Sequence, residues 1–269
     1  MLDKKIGIIG CGNMGEALLS RLATAMEKST SLMVSEQDEP RREYIQSKYR
    51  IIVEMDNSRL VNFSDVVIIA VKPKDFDDLL KELCCSFSKD KLLISIAAGV
   101  TTRHIEDTVG KDIPVIRAMP NMPALIGEAV SSISAGSSAG AKDIRIAKDI
   151  FSFIGDVVDV DEKLVDAVTA VSGSGPAYFF HLIEVLIEAA RDMGLDRKTA
   201  HKLVLKTALG SAKLLEHLKE DPAVLRGKVT SKGGTTEAAF RVFESRKFRD
   251  IVKEAVKEAC KRSKELSKG

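Results

Sequence analysis

The chain has 269 residues, of which 45% are hydrophobic and 30% charged, and its 41 basic and 39 acidic residues give a formal net charge of +2. This length allows two modest domains with hydrophobic cores, and the composition is that of an ordinary soluble globular protein. The nearly balanced charge gives no indication of nucleic acid or an anionic membrane as a partner, since such binding needs a concentrated positive surface.

The sequence predicts a cytoplasmic protein that holds no metal. No run approaches the ~18 consecutive apolar residues that span a bilayer, and the apolar run at Ile6–Gly10 is too short for the core of a signal peptide. The cysteines lack the paired spacing of a metal site, so we expect reduced thiols. They are Cys11, Cys84, Cys85 and Cys260.

Short apolar runs alternate with amphipathic stretches over residues 1–161, a pattern typical of βαβ units. The predicted strands are Lys5–Gly10, Ser31–Ser35, Ile51–Val53, Asp65–Val71, Lys91–Ala97, Pro114–Arg117, Ala129–Ser134 and Asp156–Val160. The predicted helices are Gly12–Lys28, Pro40–Lys48, Asp75–Leu83 and Ala141–Phe153. The fourth and fifth strands are apolar on both faces, as in a parallel sheet covered by helices on both sides. We therefore predict an α/β fold with an N-terminal doubly wound sheet of the Rossmann type.

The pattern changes near Asp161–Lys163, after which no strand-like run follows. The predicted helices are Glu162–Val171, Pro176–Met193, Arg197–Lys219, Thr236–Phe243 and Arg246–Leu266, and Pro222 follows the end of the third. The segment Phe179–Ile187 is apolar almost all round, which predicts a deeply buried helix. We expect an all-α domain over residues 162–269 that packs against a second copy, giving a homodimer.

The segment Gly10–Gly15 has the pattern G-x-G-x-x-G directly after the first predicted strand, and it opens the first predicted helix. In this setting Gly10 permits the tight turn, Gly12 lets the backbone approach a pyrophosphate, and Gly15 lets helix and strand pack closely. The N-terminus of the helix then directs free N–H groups at the phosphates. The sequence therefore predicts an NAD(P)-dependent oxidoreductase.

The residues after the second predicted strand bear on the choice between NADH and NADPH, and they leave it open. Glu36 lies 21 residues after Gly15, where an acid bonds the ribose 2′-hydroxyl and repels a 2′-phosphate. Ser35 could instead contact a phosphate, with Arg41 or Arg42 reaching back to it. Two such arginines are also typical of a solvated helix face.

Small residues follow the fourth and fifth predicted strands, at Ala70–Pro73 and Ala97–Val100. In an open α/β sheet the ligand lies over the carboxyl ends of the strands, and small residues let a cofactor lie against the backbone there. Lys72 is either a contact to phosphate or ribose or part of a simple turn before Pro73.

The helical half carries two glycine-containing segments. Val171–Tyr178 is typical of a hinge between two helices. Val229–Glu237 is a glycine turn that opens a helix, and its hydroxyls and free N–H groups suit a carboxylate. The same turn is equally typical of an ordinary helix start capped by Thr235 or Thr236.

Five motifs occur in order along the chain: Gly10–Gly15, Ala70–Pro73, Arg117–Pro123, Ser172–Tyr178 and Thr230–Thr236. Their combination resembles one family, pyrroline-5-carboxylate reductase, over essentially the whole chain. The resemblance implies hydride transfer from NADPH or NADH to the imine carbon of 1-pyrroline-5-carboxylate, which gives L-proline. It also implies a Rossmann domain followed by a helical dimerisation domain, with dimers often assembled into decamers.

The resemblance further implies which residues form the site. The cofactor would contact Gly10, Cys11, Gly12, Asn13, Met14, Gly15, Ser35, Asn57, Ala70, Val71, Lys72, Pro73, Ala97, Ala98 and Gly99. The substrate would contact Glu162, Ser231, Gly233, Gly234, Thr235 and Thr236, with its carboxylate on the turn and the pocket between two subunits. Thr236 is the candidate for bonding the ring nitrogen, with water as the final source of the proton.

Two residues depart from the family pattern. Lys232 stands where many members have proline, which adds a charge near the expected anion site. Glu36 stands where NADPH-preferring members often have arginine, which leaves the choice of cofactor open.

Two other functions fit part of the sequence. A 3-hydroxyacid dehydrogenase needs a lysine on a helix of the second domain to move a proton, and none occurs from Leu164 to Arg197. An imine substrate needs no such base. A non-catalytic sensor of NAD(P)H would share the glycine loop but has no use for a carboxylate site at Ser231–Thr236.

Overall fold

The computed structural model describes residues 4–26, 31–110 and 112–267, and within them the chain forms two compact units. The first contains the described residues up to Ser174 and those from Ala259 onward, and the second is Gly175–Glu258. The division lies after the change of pattern at Asp161–Lys163, because the segment that follows it contributes the buried side chains of Val165 and Ala170 to the first unit.

The first unit is built on an eight-stranded sheet in the order β3-β2-β1-β4-β5-β6-β7-β8. The strands are β1 Ile6–Ile9, β2 Leu32–Ser35, β3 Ile52–Glu54, β4 Val66–Ile69, β5 Leu92–Ser95, β6 Val115–Met119, β7 Ala129–Ala135 and β8 Gly155–Asp159. The strands β1 to β6 are parallel, β7 is antiparallel to β6, and β8 is parallel to β7. All the predicted strands are found, and the Rossmann-type sheet is confirmed.

Seven helices are described in the first unit. They are α1 Asn13–Ala25, α2 Glu39–Tyr49, α3 Asn57–Phe63, α4 Phe76–Leu83, α5 Thr102–Val109, α6 Ala141–Ser152 and α7 Val165–Val168. The sequence did not predict α3 and α5, which are short but capped by Asp56 and Thr101, whose side chains accept backbone N–H groups of the first turn. The predicted end of the first helix, residues 27–28, lies outside the described residues.

Two hydrophobic clusters cover the two faces of the sheet. In β4, Val66 and Ile68 belong to the cluster that contains apolar residues of α1, α2 and α6. Val67 and Ile69 belong to the cluster that contains apolar residues of α3, α4 and α5. Because successive side chains of a strand point to opposite faces, the fully apolar strands β4 and β5 are buried from both sides, as the sequence predicted.

The remaining helices are α8 Gly175–Asp192, α9 Arg197–Leu218, α10 Pro222–Lys228, α11 Thr235–Ser245 and α12 Phe248–Leu266. The residues of α12 from Ala259 onward belong to the first unit. Asp196 caps α9 by accepting the N–H groups of Lys198 and Thr199. The sequence did not predict α10. Pro222 is its first residue, a position that suits proline because no backbone N–H is needed there.

The prediction that the helix containing Phe179–Ile187 is deeply buried is wrong for the single chain. Along α8 only Gly175 and Ala190 are buried, and Phe179 is 67% exposed. An apolar helix face of this size is typical of a surface that a protein partner covers.

The stretch Glu162–Asp192 is also long and apolar enough to cross a membrane by length and composition, with a mean hydropathy of 1.2. It is not one regular α-helix, because a 3₁₀ turn at Glu162–Leu164 and a π-helical turn at Thr169–Gly173 interrupt it. A single such segment is weak evidence for a membrane span, since helices of soluble proteins pass the same test.

Candidate active site

The glycine-rich loop joins β1 to α1, and each glycine has a distinct structural reason. Gly10 has a φ of 85°, which favours glycine, and its N–H donates to the Ser35 carbonyl at 2.8 Å. A Cβ on Gly15 would lie 2.2 Å from the carbonyl oxygen of Gly10, so helix and loop approach too closely for a side chain. A Cβ on Gly12 would meet nothing within 4 Å, and no side chain caps α1 there. The open backbone at Gly12 therefore fits an approaching pyrophosphate.

Cys11 contributes its backbone to this loop and not a reactive thiol. Its side chain is fully buried in the core cluster under the loop. Burial raises the pKa of the Cys11 thiol to about 12. The thiol is therefore neutral at physiological pH, and only the peptide groups of Cys11 face the polar neighbours of the loop.

The Cys11 peptide is held by the residues that follow β2. Its N–H donates to Glu36 Oε2 at 2.9 Å, and its carbonyl accepts from Arg41 Nε at 2.8 Å. Arg41 also forms an ion pair with Glu16, which accepts hydrogen bonds from Lys48 and Tyr49 as well. The segment after β2, which bears on the expected choice between NADH and NADPH, is thus hydrogen-bonded directly to the glycine-rich loop.

Ser35 and Asn57 lie together, as two cofactor candidates from neighbouring segments. The Ser35 hydroxyl donates to Asn57 Oδ1 at 2.6 Å, and Asn57 Nδ2 donates to Glu82 Oε1 at 3.2 Å. Both residues are buried, at 1% and 6% exposure. The hydrogen bond between the two side chains therefore holds both of them in place at the carboxyl end of β2.

The segments after β4 and β5 also lie at the carboxyl edge of the sheet. The N–H of Ala70 donates to the Ile9 carbonyl at 2.8 Å, and a Cβ on Gly10 would meet the Ala70 carbonyl at 3.0 Å. Lys72 is exposed and precedes a 3₁₀ turn at Pro73–Asp75.

After β5, Ala97 is buried, Ala98 is half-buried, and Gly99 has a φ of 81°. A Cβ on Gly99 would come within 2.9 Å of the carbonyl oxygen of Leu266, so the end of α12 packs against this loop. The Ser263 hydroxyl fixes that end by donating to Asp166 Oδ1 at 2.7 Å. Sequence reasoning missed this contact, because no local pattern signals a pairing between residues so distant in the chain.

Glu162 belongs to the first unit, and its carboxylate is bound by three donor groups. Its carboxylate accepts the N–H of Thr102 at 2.7 Å and the hydroxyl of Thr102 at 2.6 Å. Arg117 Nη1 lies 3.4 Å from Glu162 Oε1. Arg117 is buried, and its Nη2 has no hydrogen-bond partner among the described residues. The sequence did contain a signal that Arg117 is unusual, because it is the charged residue of a strand that is otherwise apolar.

Two motifs that carried the family resemblance are in contact. Asn121 Nδ2 donates to the carbonyl oxygen of Ser172 at 3.3 Å, and Asn121 Oδ1 accepts the N–H of Val130 at 3.0 Å. A Cβ on Gly173 would lie 2.8 Å from the terminal methyl of Met119. The segment Val171–Tyr178, expected to be a hinge, thus begins in a π-helical turn bonded to the Arg117–Pro123 motif and continues as the first residues of α8. π-Helical turns are frequent at functional sites.

In the second unit, the turn before α11 brings together the residues expected to hold the substrate carboxylate. Gly233 has a φ of 75°, and the N–H of Gly234 donates to the Ser231 carbonyl at 3.0 Å. The N-cap of α11 is Gly234, without a side-chain hydrogen bond, so the alternative in which Thr235 or Thr236 caps the helix is wrong. Sequence reasoning missed Glu237, whose carboxylate accepts the N–H of Gly233 at 2.9 Å.

The Rossmann-type sheet and its open glycine loop define the class of protein, an oxidoreductase that binds a nicotinamide dinucleotide. Comparison with known families agrees with this class. Residues 5–99 match the family described as "NADP oxidoreductase coenzyme F420-dependent", and residues 162–266 match the family described as "Pyrroline-5-carboxylate reductase dimerisation".

The chain belongs to the pyrroline-5-carboxylate reductase family. It is 43% identical to the pyrroline-5-carboxylate reductase of Synechocystis over 98% of both chains, and 40% identical to that of Methanosarcina acetivorans over the full length of both. A crystal structure of the Plasmodium falciparum enzyme with NADP bound has a TM-score of 0.91 and 30% identity, and covers 99% of each chain. The Coxiella burnetii enzyme has the same TM-score and coverage, with 34% identity.

Proposed function

We propose that this chain reduces 1-pyrroline-5-carboxylate to L-proline with hydride from NADPH or NADH, the final step of proline biosynthesis. The observation that carries the proposal is its 43% identity, over 98% of both chains, to a protein with that activity in its name. The open backbone at Gly12 supports it, because the loop fits the dinucleotide that this reaction requires.

The first unit would hold the cofactor, whose nicotinamide supplies the hydride when bound. The free N–H groups at the start of α1 would bind its pyrophosphate through the segment Gly10–Gly15. Ala70–Pro73 and Ala97–Gly99 lie at the carboxyl ends of β4 and β5, where ligands bind in open α/β sheets. Ser35 and Asn57 would shape the adenosine end by bracing each other at the end of β2.

The turn before α11 would hold the substrate. The backbone N–H groups at the start of α11 and the hydroxyls of Ser231 and Thr235 suit the substrate carboxylate. The Thr236 hydroxyl would bond the ring nitrogen, and water would supply the proton. A protonated imine is already electrophilic, so the protein would contribute to catalysis mainly by binding the substrate and orienting it toward the nicotinamide. Glu162 is our further candidate for a residue close to the substrate, and its three donors would hold the carboxylate in one orientation.

We further propose a functional division between a cofactor-binding domain at residues 1–161 and a dimerisation and substrate domain at residues 162–269. The match of residues 162–266 to a dimerisation family supports a homodimer, and the exposed apolar face of α8 supplies a surface for it. The family resemblance also supports assembly of dimers into a decamer and a pocket completed by the second subunit. We place the protein in the cytoplasm without membrane attachment, as the sequence predicts.

The experiment is a cofactor-oxidation assay with purified protein and 1-pyrroline-5-carboxylate, with NADH and NADPH supplied separately. We expect rapid oxidation with at least one cofactor and formation of L-proline by product analysis. The six-membered cyclic imine homologue is the matched control substrate, since one methylene is worth only about 1–3 kcal/mol of discrimination. Binding of both cofactors without oxidation of either would overturn the proposal.

A further inference from the structure

The carboxylate of Glu36 is fixed at the edge of the phosphate-binding loop. Oε2 accepts the N–H of Cys11 at 2.9 Å, and Oε1 accepts the N–H of Asp38 at 3.2 Å. Both donors are backbone groups, so the side chain is tied at one end to the glycine loop and at the other to the start of the next helix. Its remaining lone pairs are free to accept hydroxyl groups, because an ionised carboxylate has about four acceptor sites.

The two arginines that could hold a 2′-phosphate are already bonded within the chain. Arg41 donates through Nε to the Cys11 carbonyl and forms an ion pair with Glu16. Arg42 donates through Nη1 to the carbonyl oxygens of Glu36 at 3.1 Å and Gln37 at 2.6 Å. Both guanidinium groups therefore brace the loop and the end of β2. Each guanidinium therefore already has at least one N–H group engaged by the loop or by the end of β2, whereas bidentate pairing with a phosphate needs two N–H groups of one fork turned toward it.

The other charged residues near Glu36 do not reverse the negative charge that its carboxylate gives to the end of β2. Asp38 and Glu39 follow Glu36 at the start of α2, and Asp38 is the N-cap of that helix. Lys48 is held by Glu16 at 2.8 Å. The position after β2 is thus lined by carboxylates, with its nearby cations paired to protein groups.

We infer that Glu36 makes this reductase select NADH over NADPH, an inference that rests on the proposed function. A ribose 2′-hydroxyl donates to a carboxylate at this place, whereas a 2′-phosphate brings a like charge next to it. Like charges in contact at an interface are strongly unfavourable. The inference separates this chain from the Plasmodium falciparum relative, whose structure is described with NADP bound.

The test measures binding of NAD⁺ and NADP⁺ by titration calorimetry without substrate, and then kcat/KM with NADH and NADPH. We expect the wild-type protein to bind NAD⁺ at least about tenfold more tightly than NADP⁺, with a similar ratio in kcat/KM. Glu36→Gln keeps the size and an acceptor for the Cys11 N–H but removes the charge. Glu36→Gln should lower the ratio of the Kd for NADP⁺ to the Kd for NAD⁺ about tenfold, mainly by strengthening the binding of NADP⁺.

The matched control is Glu43→Gln, which removes an exposed carboxylate further along α2 and should leave the ratio unchanged. A second measurement needs no variant: 5′-AMP should inhibit the wild-type enzyme more strongly than adenosine 2′,5′-bisphosphate in competition with NADH. Equal or tighter binding of NADP⁺ by the wild type, or an unchanged ratio in Glu36→Gln, would overturn the inference. Selective binding of NAD⁺ without turnover of the imine would overturn the proposed function alone.

Discussion

Arg117 and Glu162 form an ion pair, with 3.4 Å between Nη1 and Oε1, that joins the buried strand β6 to the turn before α7. The side chain of Arg117 is 4% exposed, and that of Glu162 is 26% exposed. The same carboxylate accepts two hydrogen bonds from Thr102, the first residue of α5. One acidic group thus neutralises a buried cation and holds the start of the helix that follows the Gly99 loop.

Glu162→Gln should destabilise the protein because it leaves the buried Arg117 guanidinium without a counter-charge. We expect a loss of about 2–3 kcal/mol in the free energy of unfolding, below the value for a fully buried pair because Glu162 is partly exposed. Urea denaturation measures it. The double variant with Arg117→Met should recover most of the loss. The exposed residue Glu128 supplies the control, Glu128→Gln, and a Glu162→Gln protein as stable as this control would contradict the prediction.

Periodicity predicted the architecture of the first unit because its strands are buried on both faces. The runs at β4 and β5 had that pattern, and the structure places them at the centre of the sheet. The helices α3 and α5 were missed because each has fewer than three turns, too few for a helical pattern to stand out. Their caps, Asp56 and Thr101, were the available signal.

The candidate site was predictable where local geometry dictates the residue. Gly10 and Gly15 could be assigned because a positive φ and a close approach exclude a side chain, and both features are present. The pairing of Arg117 with Glu162 could not be predicted, because it depends on which strand and turn are neighbours in space. The burial of α8 was predicted wrongly, because periodicity shows that a face is apolar but not whether the same chain covers it.

Substitutions at Gly12 and Gly15 of the glycine-rich loop should affect protein stability and cofactor binding to different extents. Gly12→Ala adds a methyl group in open space, so we expect a change of less than about 1 kcal/mol in the free energy of unfolding. The same methyl occupies the approach of the pyrophosphate, so the Kd for NAD⁺ should rise at least about tenfold. Calorimetric titration and urea denaturation give the two values. Wild-type affinity in a folded Gly12→Ala protein would contradict the assignment of the loop.

Gly15→Ala should reduce the stability of the protein much more than Gly12→Ala does, because its Cβ would lie 2.2 Å from the Gly10 carbonyl oxygen. Helix and loop must move apart to admit it, at a cost of about 2–3 kcal/mol in the free energy of unfolding. Thermal and urea denaturation beside Gly12→Ala provide the comparison. Equal stability of the two variants would show that the close packing of α1 on the loop does not constrain this position.

Glu16 should make stability depend on pH below the neutral range. Burial raises its pKa, but hydrogen bonds from Lys48, Tyr49 and Arg41 outweigh that effect and lower the pKa from 4.5 to about 2. Because the folded pKa is the lower one, the stabilisation is fully present above pH 4.5 and is lost as the pH falls towards 2. Glu16→Gln should cost about 2–3 kcal/mol at pH 7, and the difference from wild type should shrink below pH 4.5.

Urea denaturation at pH 7, 5 and 4 measures this difference, with the exposed residue Glu43 on α2 as the source of a control variant, Glu43→Gln. The control should change the free energy of unfolding by less than about 0.5 kcal/mol at each pH. A Glu16→Gln protein whose deficit is the same at every pH down to unfolding would show that the hydrogen bonds do not depend on the charge of the carboxylate.

Thr236 should act on the rate of reduction more than on the stability of the protein. If its hydroxyl bonds the ring nitrogen of the substrate, Thr236→Ala should lower kcat about 100-fold or more, and Thr236→Ser should retain most of the activity. Steady-state kinetics with 1-pyrroline-5-carboxylate measure this, and circular dichroism checks the fold. Thr230→Ala is the matched control, because that hydroxyl donates to the Arg226 carbonyl at 2.7 Å and has no role in the proposed reaction. Near-normal turnover by Thr236→Ala would show that the Thr236 hydroxyl takes no part in the reaction. The role of the turn before α11 would then be limited to binding the substrate carboxylate.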